Sequence, residues 1–219
     1  MVDRLTRSGL LARAGGLAAA ALGVGFLRPG SAPASAVSCI LTPEMTEGPY
    51  YIAGEKVRRN ITEGRPGVRL ELRLSVVDAT TCRPISGALV DIWHADAAGE
   101  YSGFGAGASS RTFMRGIQKT DRTGLAQFVT VYPGWYQGRT VHIHVKVHVG
   151  GNVVHTGQLF FSDTLTDSVY KVSPYTRRPD RTTRNAQDMI FQNGGARSLL
   201  TVRRKGPGYT GLIVMGVRR

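Results

Sequence analysis

Tyr132-Pro-Gly-Trp-Tyr136-Gln-Gly-Arg139-Thr-Val-His142-Ile-His144-Val-Lys-Val-His148 opens as a Pro-Gly turn and closes as a strand. Alternation puts Val141, Ile143, Val145, Val147 and Val149 on one face and His142, His144, Lys146 and His148 on the other. Two histidines two apart on a strand project the same way, close enough to grip one metal ion. Tyr136 precedes His142 by six residues and follows a turn that can fold its phenol back toward the imidazoles. Taken alone, a His-x-His pair more often marks polar residues on a half-exposed strand. Tyr136, Arg139 and a second motif upstream change that reading.

Outward from this stretch the strand pattern repeats. Val68–Val77 alternates Leu70, Leu72, Leu74 and Val76 against Arg69, Glu71, Arg73 and Ser75, a half-buried strand. Ala88–His94 is more continuously apolar. Phe113–Thr120 and Leu125–Val131 flank the hairpin turn Asp121-Arg-Thr-Gly124, and Val141–Val149 and Val153–Phe161 flank Gly150-Gly151-Asn152. Ser198–Arg203 and Tyr209–Val217 close the chain around Gly206-Pro207-Gly208. Residues 162–197 are the least strand-like, with a short helix over Asn185–Gln192 stopped by Gly194-Gly195. Around eight short strands with little helix predict an all-β, single-domain β-sandwich.

A chain of 219 residues with 42% hydrophobic content can bury one proper core. Residues 1–36 read as an export signal: Arg4, Arg7 and Arg13 precede an apolar run from Leu17 to Leu27, and Ala34-Ser35-Ala36 offers a small-x-small cleavage site. The run is too short for a comfortable transmembrane helix. The expectation is a secreted protein with no stable membrane insertion, an arm and loop over 37–66 and the sandwich over 67–219. Export gives the two cysteines, Cys39 and Cys82, a simple reading as one disulfide. It would tie the arm to the domain and close a loop of about 40 residues, contributing on the order of 3–4 kcal/mol in the loop-entropy model. The formal charge of +13 falls to +10 when the four arginines and one aspartate of residues 1–36 are removed. Export and the lack of a binding motif argue against nucleic acid as a partner, and leave a basic solvated surface.

The second motif is Val90-Asp91-Ile92-Trp93-His94-Ala95-Asp96-Ala97-Ala98-Gly99-Glu100-Tyr101-Ser102-Gly103, a buried strand running into a loop that presents Tyr101. With Tyr136, His142 and His144 it completes a set of two phenols and two imidazoles. A phenol must lose a proton to bind a cation well, and its free pKa is near 10. A hard, strongly acidic trivalent ion such as Fe(III) holds phenolates at neutral pH, whereas Zn(II) prefers imidazole, thiolate and carboxylate. Tyr132 is the rival for the second phenolate.

These residues carry a resemblance to the intradiol ring-cleavage dioxygenases, the family of catechol 1,2-dioxygenase and protocatechuate 3,4-dioxygenase, in its short secreted branch. The matching segments are TPEMTEGPYY, GALVDIWHADAAGEYSG, RGIQKTDRTGLAQFVTVYPGWYQGRTVHIHVKV and GQLFF. The resemblance implies Fe(3+) held by Tyr101, Tyr136, His142 and His144. It places Arg139 beside the substrate ring, Gln158 behind the ligands and Tyr50 in the pocket wall. It implies cleavage of a catechol by O2 between the two hydroxyl-bearing carbons, giving a cis,cis-muconate. Tyr136 would take a substrate proton and Arg139 would stabilise the developing negative charge. Lignin and other plant phenolics outside the cell are the expected substrates. The long N-terminal helical dimerisation domain of larger members has no counterpart in this sequence, which leaves oligomeric state open. Two other classes start from the same residues: a zinc hydrolase using His142, His144 and His148, and a catalytically silent β-sandwich that binds phenolics.

Overall fold

The computed structural model describes residues 39–105 and 107–218. The export-signal reading of residues 1–36 lies outside them. Among the described residues, eight strands form two four-stranded sheets: β1 (Arg69–Asp78), β2 (Leu89–Trp93), β3 (Arg115–Lys119), β4 (Leu125–Val131), β5 (His142–Val149), β6 (Asn152–Phe160), β7 (Thr201–Lys205) and β8 (Gly208–Val217). One sheet runs β4-β1-β8-β7 and the other β3-β2-β5-β6. All named pairings are antiparallel except β1 with β8, which run parallel from Leu70↔Tyr209 to Asp78↔Val217. The all-β sandwich expected from the sequence is the fold observed.

The core lies between the sheets. Leu70, Leu72, Leu74 and Val76 of β1 meet Val90 and Ile92 of β2 and Ile143, Val145 and Val147 of β5, all fully buried. Each such side chain contributes roughly 1.5–3 kcal/mol of hydrophobic burial. The alternation that predicted β1 is therefore physical: its even positions face the second sheet and its odd positions face out.

Strand β5 departs from that simple picture. Its polar face, which a lone His-x-His pair would leave half-exposed, is also buried: His142 is 3% exposed, His144 1% and Lys146 7%. The cover is the N-terminal arm. Thr42 donates to Gly216 O and Met45 to Thr156 O, while Glu47 pairs with Lys146. The Cys39–Cys82 disulfide joins the arm to the loop after β1. Residues 52–66 are irregular, as read, but pinned by isolated bridges Val57↔Ile117 and Asn60↔Val129.

The segment after β6 holds a helix that the sequence reading did not place, α1 (Asp163–Val169), with Ser162 capping its N-terminus. Only Thr166 and Val169 of α1 are buried, so no apolar stripe announced it. The helix expected over Asn185–Gln192 is two pieces, a 3-10 turn Asn185–Gln187 and α2 (Met189–Gln192), with Asp188 extended between them.

Candidate metal centre

Tyr101, Tyr136, His142 and His144 meet on the outer face of the second sheet, under the arm. Strand β5 aims both imidazoles outward, and their Nε2 atoms stand 3.1 Å apart. The turn before β5 folds back on itself through a Tyr136↔Arg139 bridge. That brings Tyr136 Oη to 3.1 Å from His142 Nε2. Tyr101 arrives from the loop after β2, its ring centroid 5.7 Å from that of Tyr136 and 6.2 Å from that of His144.

Local chemistry fixes each of these groups. Asp96 folds the loop that carries Tyr101: one carboxylate oxygen accepts from the amides of Ala98 and Glu100, the other from Nε of Arg65 at 2.7 Å. Gly99 is needed where this loop meets the Tyr136 turn, since a β-carbon there would lie 2.3 Å from Trp135 O. Nδ1 of His142 sits 2.6 Å from Thr140 O and so holds the ring proton, leaving a bare lone pair on Nε2. The indole of Trp93 stacks on His144 at 4.9 Å.

The donor set fits a small, strongly charged cation. A bare imidazole nitrogen faces a second imidazole nitrogen and a phenol across 3.1 Å. The Tyr101 hydroxyl is buried with no hydrogen-bond partner. Burial pushes the Tyr101 phenol well above its ordinary pKa; burial also raises that of Tyr136, against the pull of the Arg139 guanidinium. Burial, reinforced by Arg139, holds His142 down to about 3. Both imidazoles are thus neutral and ready to bind, and the phenols need a metal of high acidity to ionise. Among the described residues no three His, Cys, Asp or Glu side chains cluster as a metal site, and His148 is half-buried beyond a register shift in β5. That leaves the zinc reading with His148 without its third ligand.

The remaining predicted residues fall around this centre. Tyr50 stacks on Tyr101, centroids 4.3 Å apart, and meets Phe104 edge-on. Tyr50, Tyr101, Phe104 and Tyr136 line a hollow of about 340 Å³. Arg139 donates Nη2 to Gln158 Oε1, and Gln158 donates to Thr46 O of the arm at 3.0 Å. Tyr132 is elsewhere: fully buried in the core, its hydroxyl 2.7 Å from Thr166 Oγ1. Sequence reasoning missed Asp188, whose Oδ2 accepts from Arg139 Nε at 2.8 Å. Its only sequence signal is a capping aspartate ahead of Met189-Ile-Phe-Gln.

A family profile described as Dioxygenase matches residues 46–171. An intradiol ring-cleavage dioxygenase of Tetranychus urticae superposes with a TM-score of 0.79 at 37% identity, over 82% of this chain and 95% of that one. The chain belongs to the intradiol ring-cleavage dioxygenase family. The dioxygenase domain of a carbohydrate-binding fusion protein from Streptomyces sp. SirexAA-E shares 32% identity with a TM-score of 0.63, over 82% of this chain and 99% of that domain. Among curated proteins, catechol 1,2-dioxygenase 1 of Acinetobacter lwoffii is 34% identical over 133 residues, 56% of this chain and 43% of that protein. The chain spans about half the length of the curated relatives it matches. The span of this chain that the family profile matches contains all four converging groups, together with Arg139, Gln158 and Tyr50.

Proposed function

We propose that this protein is a secreted Fe(III) intradiol dioxygenase that cleaves catechols between their hydroxyl-bearing carbons with O2, yielding cis,cis-muconate-type acids. One observation carries the reading: two phenols that line a hollow converge with two neutral imidazoles, and a guanidinium lies beside them. Tyr101, Tyr136, His142 and His144 would hold the ion. When bound, ferric iron supplies Lewis acidity and a template that orients the diol and O2.

The chain's own groups do the rest. The wall of Tyr50 and Phe104 packs against a flat ring and excludes water. Tyr136 stands nearest Arg139, whose positive charge eases ionisation of its phenol, so Tyr136 is the group placed to accept a proton from the incoming diol. Arg139 Nη1 reaches to 3.4 Å from His142 Nε2 and can donate to negative charge developing on the ring. The hollow also adjoins a second, which in turn adjoins a third. It shares Glu100 and Ala108 with one of about 290 Å³, which shares Arg65 and Pro66 with one of about 240 Å³ edged by Arg177 and Arg178. This supports phenolics larger than a single ring as substrates, and plant phenolics are the class of that kind that we propose. The disulfide and the export-signal pattern of residues 1–36 support secretion.

The test is a visible spectrum of the iron-loaded protein, before and after anaerobic catechol. A phenolate-to-iron band that moves to longer wavelength with catechol, followed by muconate on admitting air, is the expected result. A protein that stays colourless after iron reconstitution would overturn the reading.

A further inference from the structure

Asp188 is buried, with 1% of its side chain exposed, and its carboxylate is fully engaged. Oδ1 caps α2, accepting from the amides of Ile190 at 2.8 Å and Phe191 at 3.1 Å. Oδ2 accepts from Arg139 Nε and from the Thr140 amide, each at 2.8 Å. Arg139 is thereby fastened on two edges, Nε to Asp188 and Nη2 to Gln158. Its third nitrogen, Nη1, is left facing His142 Nε2. A guanidinium is a rigid planar fork, so fixing two nitrogens fixes the direction of the third.

The support for Asp188 does not depend on Arg139. Asn185, one turn earlier, donates to Phe161 O at 2.8 Å and accepts from Thr140 Oγ1 at 2.6 Å. Its amide also donates to Asp163 Oδ1. Residues 185–188 are therefore clamped to the ends of β5 and β6, and Asp188 is presented to Arg139 from a rigid base. The Arg139–Asp188 pair spans 49 residues of sequence.

We propose that Asp188 is the positioning residue of the site, holding Arg139 from behind so that one guanidinium nitrogen is aimed at the reacting ring. The inference rests on the dioxygenase reading for its catalytic consequence, but the Asp188–Arg139 contact can be read without turnover. Asp188→Asn suits the test because asparagine also caps helices, so its one oxygen can keep the α2 cap while its amide group replaces the charged oxygen that holds Arg139 Nε and the Thr140 amide.

In the metal-free protein, the Arg139 Nε–H should exchange slowly with solvent by 15N NMR, and at least tenfold faster in Asp188→Asn. In the iron-loaded protein, Asp188→Asn should retain iron, the visible band and anaerobic catechol affinity within about threefold, while kcat falls roughly 10–100-fold. Added guanidinium should restore part of the kcat of Arg139→Ala, and restore little in Arg139→Ala with Asp188→Asn. Two results would overturn the proposal: unchanged Nε–H exchange in Asp188→Asn, or guanidinium rescue that is equal with and without Asp188. Slow Nε–H exchange lost in Asp188→Asn, in a protein that cleaves no catechol, would uphold the contact and fail the dioxygenase reading instead.

Discussion

A β-carbon on Gly48 would stand 3.1 Å from Cε1 of His144, so the arm meets this imidazole through the one residue type that leaves it room. Gly48 also sits at φ +73°, where other residues are strained. Gly48→Ala should therefore act twice. Backbone strain costs about 1 kcal/mol, a Tm loss of about 2–4 °C for a domain of this size. The larger effect should fall on the metal, because the methyl group pushes the His144 ring off its line. Iron content per chain is expected to drop severalfold. Full iron occupancy with only the Tm loss would show that the ring has room to move.

Tyr132 and Tyr136 lie four residues apart, and the structure sends their phenols to different places, one into the core and one to His142. Tyr132 packs among Phe161, Tyr170 and Tyr175 in the core and bonds to Thr166. Tyr132→Phe should cost about 1 kcal/mol of stability through the lost hydrogen bond and leave the colour of the iron protein intact. Tyr136→Phe should weaken or shift the phenolate band with little change in melting temperature. Loss of colour in the Tyr132 variant would reverse the assignment.

The strands and the His142–His144 pair were legible because each rests on local pattern, period-two alternation for β1 and β5 and turn residues before β4 and β6, whereas the choice of Tyr136 over Tyr132 came from the family resemblance. The parallel β1–β8 pair was not, since no local rule fixes which strands pair across 139 residues, as Leu70 and Tyr209 do. Burial of the β5 outer face was hidden too. Lys146 looks like a solvent residue until Glu47 and the Tyr51 ring close over it, its Nζ 3.7 Å from the ring centroid. Asp188 was invisible because its partner is remote and its own segment is irregular.

The Cys39–Cys82 bond spans 43 residues and anchors the arm that carries Glu47, Gly48 and Tyr50. Loop entropy alone makes such a link worth about 4 kcal/mol. Reduction, or Cys39→Ser, should lower Tm by roughly 8–16 °C. Amides of the arm should lose hydrogen-exchange protection before those of β5. Simultaneous loss in both would mean that the arm and the sheet open as one unit, with the disulfide acting on global stability alone.

Asp91 gives the pH prediction. It lies on β2 opposite Lys146, 1% exposed, with one carboxylate oxygen lacking any hydrogen-bond partner. Burial pushes its pKa up from 3.8 to about 7, against the pull of a hydrogen bond from Tyr51 and the charges of Lys146 and Arg115. Below pH 3.8 the group is protonated in both folded and unfolded chains and costs nothing. Between pH 3.8 and about 7 the unfolded chain releases the proton and the folded one keeps it, so its contribution falls as pH rises and levels off above about 7. Three pKa units correspond to about 4 kcal/mol as an upper bound. Asp91→Asn removes the titration and keeps the shape. Urea unfolding should show the variant about 1–3 kcal/mol more stable than the parent at pH 8, with the difference shrinking to about 0.5 kcal/mol at pH 4. A variant less stable at pH 8 would mean that Lys146 and Arg115 stabilise the Asp91 carboxylate by more than its burial costs, so that folding lowers its pKa rather than raising it.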